Sequence, residues 1–141
     1  MMFSHPFLQF SALLLSLYAF HLGYKRFAAT KLGRKSVFAW KRHVLLGTLA
    51  MVIWMPGLGL GLLLAWWQWN IVFITGAHYQ IALLMIPFIV FGYVSGYIMD
   101  KRKAKRSVLP LVHGANNLLL VLMALAQLGT GAKVLRDFVL S

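Results

Sequence analysis

Four long apolar runs, separated by short connections, dominate this chain and leave few folds open to it. The runs cover about residues 6–24, 43–67, 78–99 and 111–135. Each is long enough to cross a hydrocarbon core of roughly 30 Å at ~1.5 Å per helical residue. Because the lipid core holds no water for backbone groups, and four segments are too few for a closed barrel, helices are expected. The sequence predicts an all-α membrane protein: a single transmembrane domain over residues 1–141, built as a four-transmembrane-helix antiparallel bundle.

The composition narrows the class of protein further. Hydrophobic residues make up 61% of the chain and charged residues only 11%, too few to cover a soluble domain. A net charge of +12 would suit nucleic-acid binding, but the cations are confined to blocks beside the apolar runs. We therefore expect membrane lipid and no nucleic acid as a partner. Because the chain has no cysteine, disulfides, thiolate metal sites, iron–sulfur clusters and covalently attached haem are excluded.

The uneven distribution of lysine and arginine predicts the orientation in the membrane. The second connection, about residues 68–77, is uncharged, whereas the first and third are basic. Basic connections stay on the cytoplasmic side, or the stromal side in an organelle, so both termini are expected on the non-cytoplasmic side. No cation precedes the first run, which is expected to be a retained helix and not a cleaved signal peptide. The basic residues are Lys25, Arg26, Lys31, Arg34, Lys35, Lys41 and Arg42 in the first connection, and Lys101, Arg102, Lys103, Lys105 and Arg106 in the third.

Each apolar run begins at or just after a histidine: His5, His43, His78 or His113. Since consecutive spans alternate in direction, His5 and His78 should share one depth near the outer side, and His43 and His113 another near the inner side. Histidine is costly in a membrane span and usually marks a site. Two imidazoles on parallel helices suit the two axial positions of a haem iron. A zinc or copper site is the rival, but no third protein ligand accompanies either pair. Merely interfacial histidines are the structural alternative.

Glycines supply a second pattern. A residue ~14–18 positions beyond each histidine lies roughly 21–27 Å further across the bilayer, at the depth of the other pair. Glycines there would make room for a macrocycle, although ordinary small-residue helix packing is the alternative explanation. His21, near the inner end of the first run, has no counterpart on the third, so a structural or propionate-contacting role is expected. The glycines concerned are Gly23, Gly59, Gly61, Gly92, Gly96, Gly129 and Gly131.

Polar residues beside the inner histidines are candidates for cofactor contacts. Haem propionates are anionic and favour basic partners near the interface. Lys41 and Arg42 directly precede His43, and Arg106 lies in the approach to His113. Asn117 lies one turn beyond His113 and is expected to donate a hydrogen bond to a ligand or propionate.

These residues resemble the cytochrome b561 core. The shared features are His5-Pro6, the Gly-Tyr-Lys-Arg exit of the first helix (23–26), the Ser-Gly-Tyr exit of the third (95–97) and the segment from Pro110 to His113. The resemblance implies two b haems, with axial ligands paired first helix with third and second with fourth. The chain is also similar to small uncharacterised four-helix membrane proteins of cyanobacteria and plastids, which implies a bacterial inner or thylakoid membrane.

The function expected from these features is that of a b-type cytochrome with two bis-histidine haems, transferring electrons across the membrane. The alternative is a haem-binding or structural membrane subunit of a larger redox or photosynthetic complex, linked in one version to quinone. A purely structural subunit is the third possibility. The expected partners are a redox protein or a small reductant or quinone, with the chain acting as a homodimer or within a larger complex.

Overall fold

The computed structural model describes residues 3–102 and 104–140 and consists, over those ranges, of four helices and no strand. They are α1 (Ser4–Lys31), α2 (Trp40–Trp69), α3 (Ala77–Lys101) and α4 (Val108–Phe138). Each contains one predicted run and extends a few residues beyond it at both ends. All four are long and apolar enough to cross a membrane, as in a multi-pass membrane protein. The all-helical prediction is confirmed; Lys103 of the third basic connection lies outside the described residues.

The helices form a four-sided bundle in which chain neighbours are also neighbours in space. Within the described residues α1 packs against α2 and α4, and α3 against α2 and α4, whereas the diagonal pairs α1–α3 and α2–α4 have no backbone approach. The start of α1, at His5, lies beside Gly57 and Gly61 of α2, and the start of α2, at His43, lies beside Ala19 and Gly23 of α1. Adjacent helices therefore run antiparallel, and diagonal helices run parallel.

The first connection, 32–39, folds back onto the end of α1 that carries Lys31, here called the inner end after the orientation expected from the charges. It leaves α1 through Gly33, whose φ of +64° is in the region that favours glycine. The Ser36 hydroxyl donates to the carbonyl of Lys25 at 3.1 Å. Phe38 then lies between the Arg26 guanidinium, 5.3 Å from its ring centroid, and the His43 ring, 5.4 Å centroid to centroid. The connection thus covers the inner end of the bundle beside His43.

The buried core lies at mid-bundle, between the two ends that carry the histidines. All four helices contribute to it, and Trp54 is its largest side chain, with only 2% of its surface exposed. By contrast, Trp66 and Trp67 at the end of α2 are exposed, as expected of residues at a membrane interface. The core residues are Ala12, Leu13, Met51, Trp54, Met85, Ile89, Leu120 and Ala124.

Candidate functional site: two histidine pairs

The structure brings the four helix-start histidines together as two pairs on the bundle diagonals. His5 of α1 faces His78 of α3, with ring centroids 6.1 Å apart and ring planes at 87°. His43 of α2 faces His113 of α4, with ring centroids 6.3 Å apart and planes at 73°. These are the pairs expected from the sequence, one at each end of the bundle. Their role as iron ligands stays a prediction.

The separation within each pair fits two imidazoles on opposite sides of one metal ion. With metal–nitrogen bonds of about 2 Å and a ring radius of about 1.1 Å, trans imidazoles have centroids roughly 6 Å apart. Any angle between the ring planes is compatible, because each plane only has to contain its own metal–nitrogen bond. Within residues 3–102 and 104–140 no group of three or more His, Cys, Asp or Glu could hold one metal ion. A porphyrin, which supplies its own four nitrogens, suits such a two-ligand site.

In the α1–α2 hairpin each histidine donates a hydrogen bond to a backbone carbonyl of the other helix. His5 Nδ1 lies 2.8 Å from the Gly57 carbonyl oxygen, and His43 Nδ1 lies 2.9 Å from that of Ala19. A carbonyl can only accept, so Nδ1 carries the proton in both rings. In a neutral imidazole this leaves Nε2 with its lone pair, the form that binds a metal.

In the α3–α4 hairpin the partners of the histidines are hydroxyl groups. His113 Nδ1 lies 2.7 Å from Ser95 Oγ, and His78 Nδ1 lies 3.0 Å from Thr130 Oγ1. Ser95 donates its own hydrogen to the Phe91 carbonyl, and Thr130 donates to the Gln127 side chain. Both hydroxyl oxygens are therefore acceptors toward the histidines, and Nδ1 carries the proton here as well.

Four glycines provide the space that the rings occupy. A Cβ on Gly61 would lie 2.7 Å from His5 Cε1, and one on Gly23 would lie 3.1 Å from His43 Cε1. A Cβ on Gly131 would be similarly close to His78 Cε1, at 3.2 Å, whereas one on Gly96 would make an ordinary contact with His113 Cε1 at 3.4 Å. In the described structure these glycines lie against the imidazole rings; clearance for a macrocycle stays a prediction.

The remaining glycines of the pattern have other surroundings. Gly59 and Gly129 are exposed, and no atom comes within 4 Å of a Cβ added to either, so they make no room inside the bundle. A Cβ on Gly92 would lie 2.7 Å from Asn117 Oδ1 and 2.8 Å from Met51 Cε. Gly92 therefore leaves room for the side chains of Asn117 and Met51 beside the inner pair.

The four glycines that contact the rings share one exact distance in the sequence from the histidine of their own helix, whereas helix rise alone predicted a range of ~14–18 residues. Each lies 18 residues after the histidine of its own helix, as His5–Gly23, His43–Gly61, His78–Gly96 and His113–Gly131. At ~1.5 Å per residue this corresponds to roughly 27 Å. Each helix thus carries a histidine at one end and, at the other, a glycine against which the imidazole of the neighbouring helix packs. We call these four residues the notch glycines: Gly23, Gly61, Gly96 and Gly131. This spacing is a signal for the notch glycines that the sequence already contains.

A cavity of about 420 Å³ surrounds the outer pair. It is bounded by all four helices and by the connection before α3, and its walls are mostly apolar. Cavities of roughly 300–1,000 Å³ with a few polar groups are typical of cofactor sites. The polar side chains in its lining include Gln9, Thr75 and Gln127, together with both histidines.

At the inner pair Asn117 lies where the sequence predicted a cofactor contact, and it touches a ligand candidate directly. Its Nδ2 donates to Nε2 of His113 at 3.0 Å. Its Oδ1 is buried and has no hydrogen-bond partner in the described residues. Because Nε2 is the atom that would bind a metal, Asn117 has to turn away when His113 acts as a ligand. An orphaned buried oxygen beside a ring nitrogen marks this position as one suited to a further bound group.

The other predicted contacts make no hydrogen bond to a paired histidine in the part of the chain that the structure describes. Lys41 and Arg42 are exposed at the start of α2, and Arg106 Nη1 donates to the Arg102 carbonyl at 2.7 Å. His21 is exposed and stacks on Tyr18, with centroids 6.4 Å apart, so the structure does not bring it into either pair. The sequence did not lead us to expect the contact of Phe38 with His43, or Ser95 and Thr130 as hydrogen-bond partners of His113 and His78. The two hydroxyl partners could have been found, because each directly precedes the glycine that its histidine contacts.

No family model and no curated protein matches the sequence, and no solved structure matches the fold. The geometry of the two histidine pairs is therefore the basis for assigning a function.

Proposed function

We propose that this chain is a b-type cytochrome that holds two bis-histidine haems and transfers electrons across a membrane. The observation that supports the proposal is the geometry of two diagonal histidine pairs at opposite ends of a four-helix bundle. Their ring separations of 6.1 and 6.3 Å suit two axial bonds. In all four rings Nδ1 donates a hydrogen bond, so Nε2 keeps its lone pair.

The residues have distinct tasks in this proposal. His5 and His78 hold the outer haem, and His43 and His113 hold the inner one. Haem would supply a reversible one-electron iron couple at each site, and the two histidines of the pair would be its protein ligands. Hydrogen bonds from Nδ1 keep each imidazole in place while the charge at the site changes, which favours electron transfer over reactions that need an open position.

The basic inner end suggests the chemistry of the partner there. In the sequence, Asp100 is the one acidic residue near the two basic connections, so this end of the bundle has a strong positive charge. Because a positive surface attracts anionic partners, an anionic redox protein, small reductant or quinone-linked system fits best. The same cations support an orientation with both termini on the non-cytoplasmic side, in a bacterial inner or thylakoid membrane. This surface also favours a second candidate, a haem-binding subunit that exchanges electrons inside a larger redox complex.

The decisive experiment measures haem per chain by the pyridine haemochrome assay on purified protein supplied with haem. We expect two haems in the wild type. His43→Ala and His113→Ala should each lose the inner haem and keep the outer spectrum, and His5→Ala and His78→Ala the reverse. His21→Ala is the matched control and should keep both haems, because His21 lies outside the pairs. A wild-type protein without haem would refute the proposal.

Reconstitution into vesicles then separates the two candidates. The isolated chain should pass electrons from an external reductant to a trapped acceptor, and His5→Ala should abolish this while the protein still inserts. Two haems without transfer by the isolated chain would favour the subunit of a larger complex.

A further inference from the structure

The two helical hairpins support their histidines in different ways. The residue before the notch glycine is Leu22 in α1 and Leu60 in α2, but Ser95 in α3 and Thr130 in α4. Leucine cannot accept a hydrogen bond, so rings that pack on α1 and α2 reach a backbone carbonyl instead. Rings that pack on α3 and α4 meet a hydroxyl. Each histidine pair therefore contains one carbonyl-bonded and one hydroxyl-bonded imidazole.

Both hydroxyls can accept from a histidine because each has another acceptor for its own hydrogen. Ser95 is 2% exposed, and with its hydrogen donated to the Phe91 carbonyl at 2.6 Å its oxygen accepts from His113. Thr130 belongs to a closed ring of hydrogen bonds around His78. Its hydroxyl donates to Gln127 Oε1 at 2.7 Å, and Gln127 Nε2 donates to the His78 carbonyl at 2.9 Å.

From these contacts we infer that Ser95 and Thr130 are positioning residues that set the redox potentials of the inner and outer centres independently. The inference rests on the proposed function. A hydrogen bond accepted from Nδ1–H makes the imidazole a stronger electron donor at Nε2, which stabilises the oxidised iron and lowers the potential. Backbone carbonyls cannot be removed by a side-chain substitution. The two hydroxyls are thus the positions at which the sequence controls these bonds.

Other hydroxyls in the chain provide matched controls. Ser11 donates to the Phe7 carbonyl at 2.9 Å, and Thr30 to the Arg26 carbonyl at 2.9 Å, both within their own exposed helical turns. They have the same type of bond to the preceding turn as Ser95 but contact no histidine. Substituting them removes a helical hydroxyl without touching either site.

The first experiment is a redox titration of haem-saturated protein, with the low-spin EPR signal of each centre as a second readout. Ser95→Ala should shift the inner couple toward the reduced form by about tenfold, which is about 59 mV for a one-electron couple, and leave the outer couple unchanged. Thr130→Val should raise only the outer potential. Ser95→Thr, which keeps the hydroxyl, should restore the wild-type value. Ser11→Ala and Thr30→Val should change neither potential.

The second experiment needs no haem and separates this inference from the proposed function. In ¹⁵N-histidine NMR of haem-free protein, the His78 ring should carry its proton on Nδ1 in the wild type and populate both tautomers in Thr130→Val, because its Nε2 has no hydrogen-bond partner in the described residues. That change would support the positioning role even if the haem assay fails. Unchanged tautomers, or unchanged potentials in a variant that binds two haems, would overturn it. If Ser95→Ala does not fold, Thr130→Val tests the same bond at the other site.

Discussion

Adding one methyl group at Gly61 should disturb the outer pair by a distance that follows from the structure. An alanine Cβ there would lie 2.7 Å from His5 Cε1 and 3.0 Å from Nδ1. The ring has to retreat by about 0.8 Å to reach an ordinary carbon contact of about 3.5 Å. Because the Gly57 carbonyl is on the same helix as Gly61, this retreat lengthens the Nδ1–O distance from 2.8 Å to about 3.6 Å, beyond hydrogen-bond range.

The energetic consequence combines three terms. Losing the hydrogen bond costs about 1 kcal/mol, and the crowding costs about 1–3 kcal/mol. The better helix propensity of alanine returns about 1 kcal/mol. We expect Gly61→Ala to lower the free energy of unfolding by about 1–3 kcal/mol and to reduce the haem content of the outer site.

Gly59→Ala is the matched control, because Gly59 lies two residues before Gly61 on the same helix and a Cβ added there would have open space around it. It should be neutral or stabilising and should keep both haems. Denaturant unfolding in detergent gives the free energies, and the pyridine haemochrome assay gives haem per chain. Equal stability and equal haem content in the two alanine variants would refute the reasoning.

Three further predictions address the membrane topology, the core and the inner partner. Cysteines placed at Lys31 and Lys105 should be protected from an impermeant thiol reagent added outside intact cells, whereas one at Ile71 should react; the opposite pattern would reverse the orientation. Trp54→Ala should cost about 3–5 kcal/mol and reduce haem at both sites in the haemochrome assay, whereas exposed Trp67→Ala should change neither. Reduction of the inner centre by an anionic donor should slow as salt rises, because exposed charges are screened beyond about 10 Å at 0.1 M; a rate independent of salt would contradict electrostatic docking.

The sequence was sufficient to predict the four helices and the proximity of His5 to His78 and of His43 to His113. Both follow from simple rules. The length of each apolar run defines a helix, and because consecutive helices alternate in direction, α1 and α3 start at one end of the bundle and α2 and α4 at the other. Atomic partners were harder to predict because they depend on helix rotation about its axis. His113 meets a hydroxyl because the residue before Gly96 is Ser95, whereas leucine stands at that position in α1 and α2. The sequence contains this difference, but it becomes meaningful only once the rotation of each helix is known, and the apolar surface of these helices is too uniform to define that rotation.

The contacts of long side chains are the least predictable. Lys41, Arg42 and Arg106 are expected near propionates because of their position in the sequence, and this stays a prediction, since the backbone position does not hold a chain of several rotatable bonds. Phe38 was missed for a related reason. It lies in a connection, and its place over His43 depends on the turn at Gly33 and the bond from Ser36 to the end of α1.

Neither hairpin contains a complete pair, and this couples the sites to the fold. The α1–α2 hairpin orients His5 and His43 through its own contacts, and the α3–α4 hairpin orients His78 and His113 through its own. Each hairpin is therefore a preorganised half that presents one imidazole at each end. The two hairpins pack against each other through the shared core, and this packing brings the members of both pairs together. Gly61→Ala should then reduce haem binding at one site only, whereas Trp54→Ala in the shared core should reduce it at both.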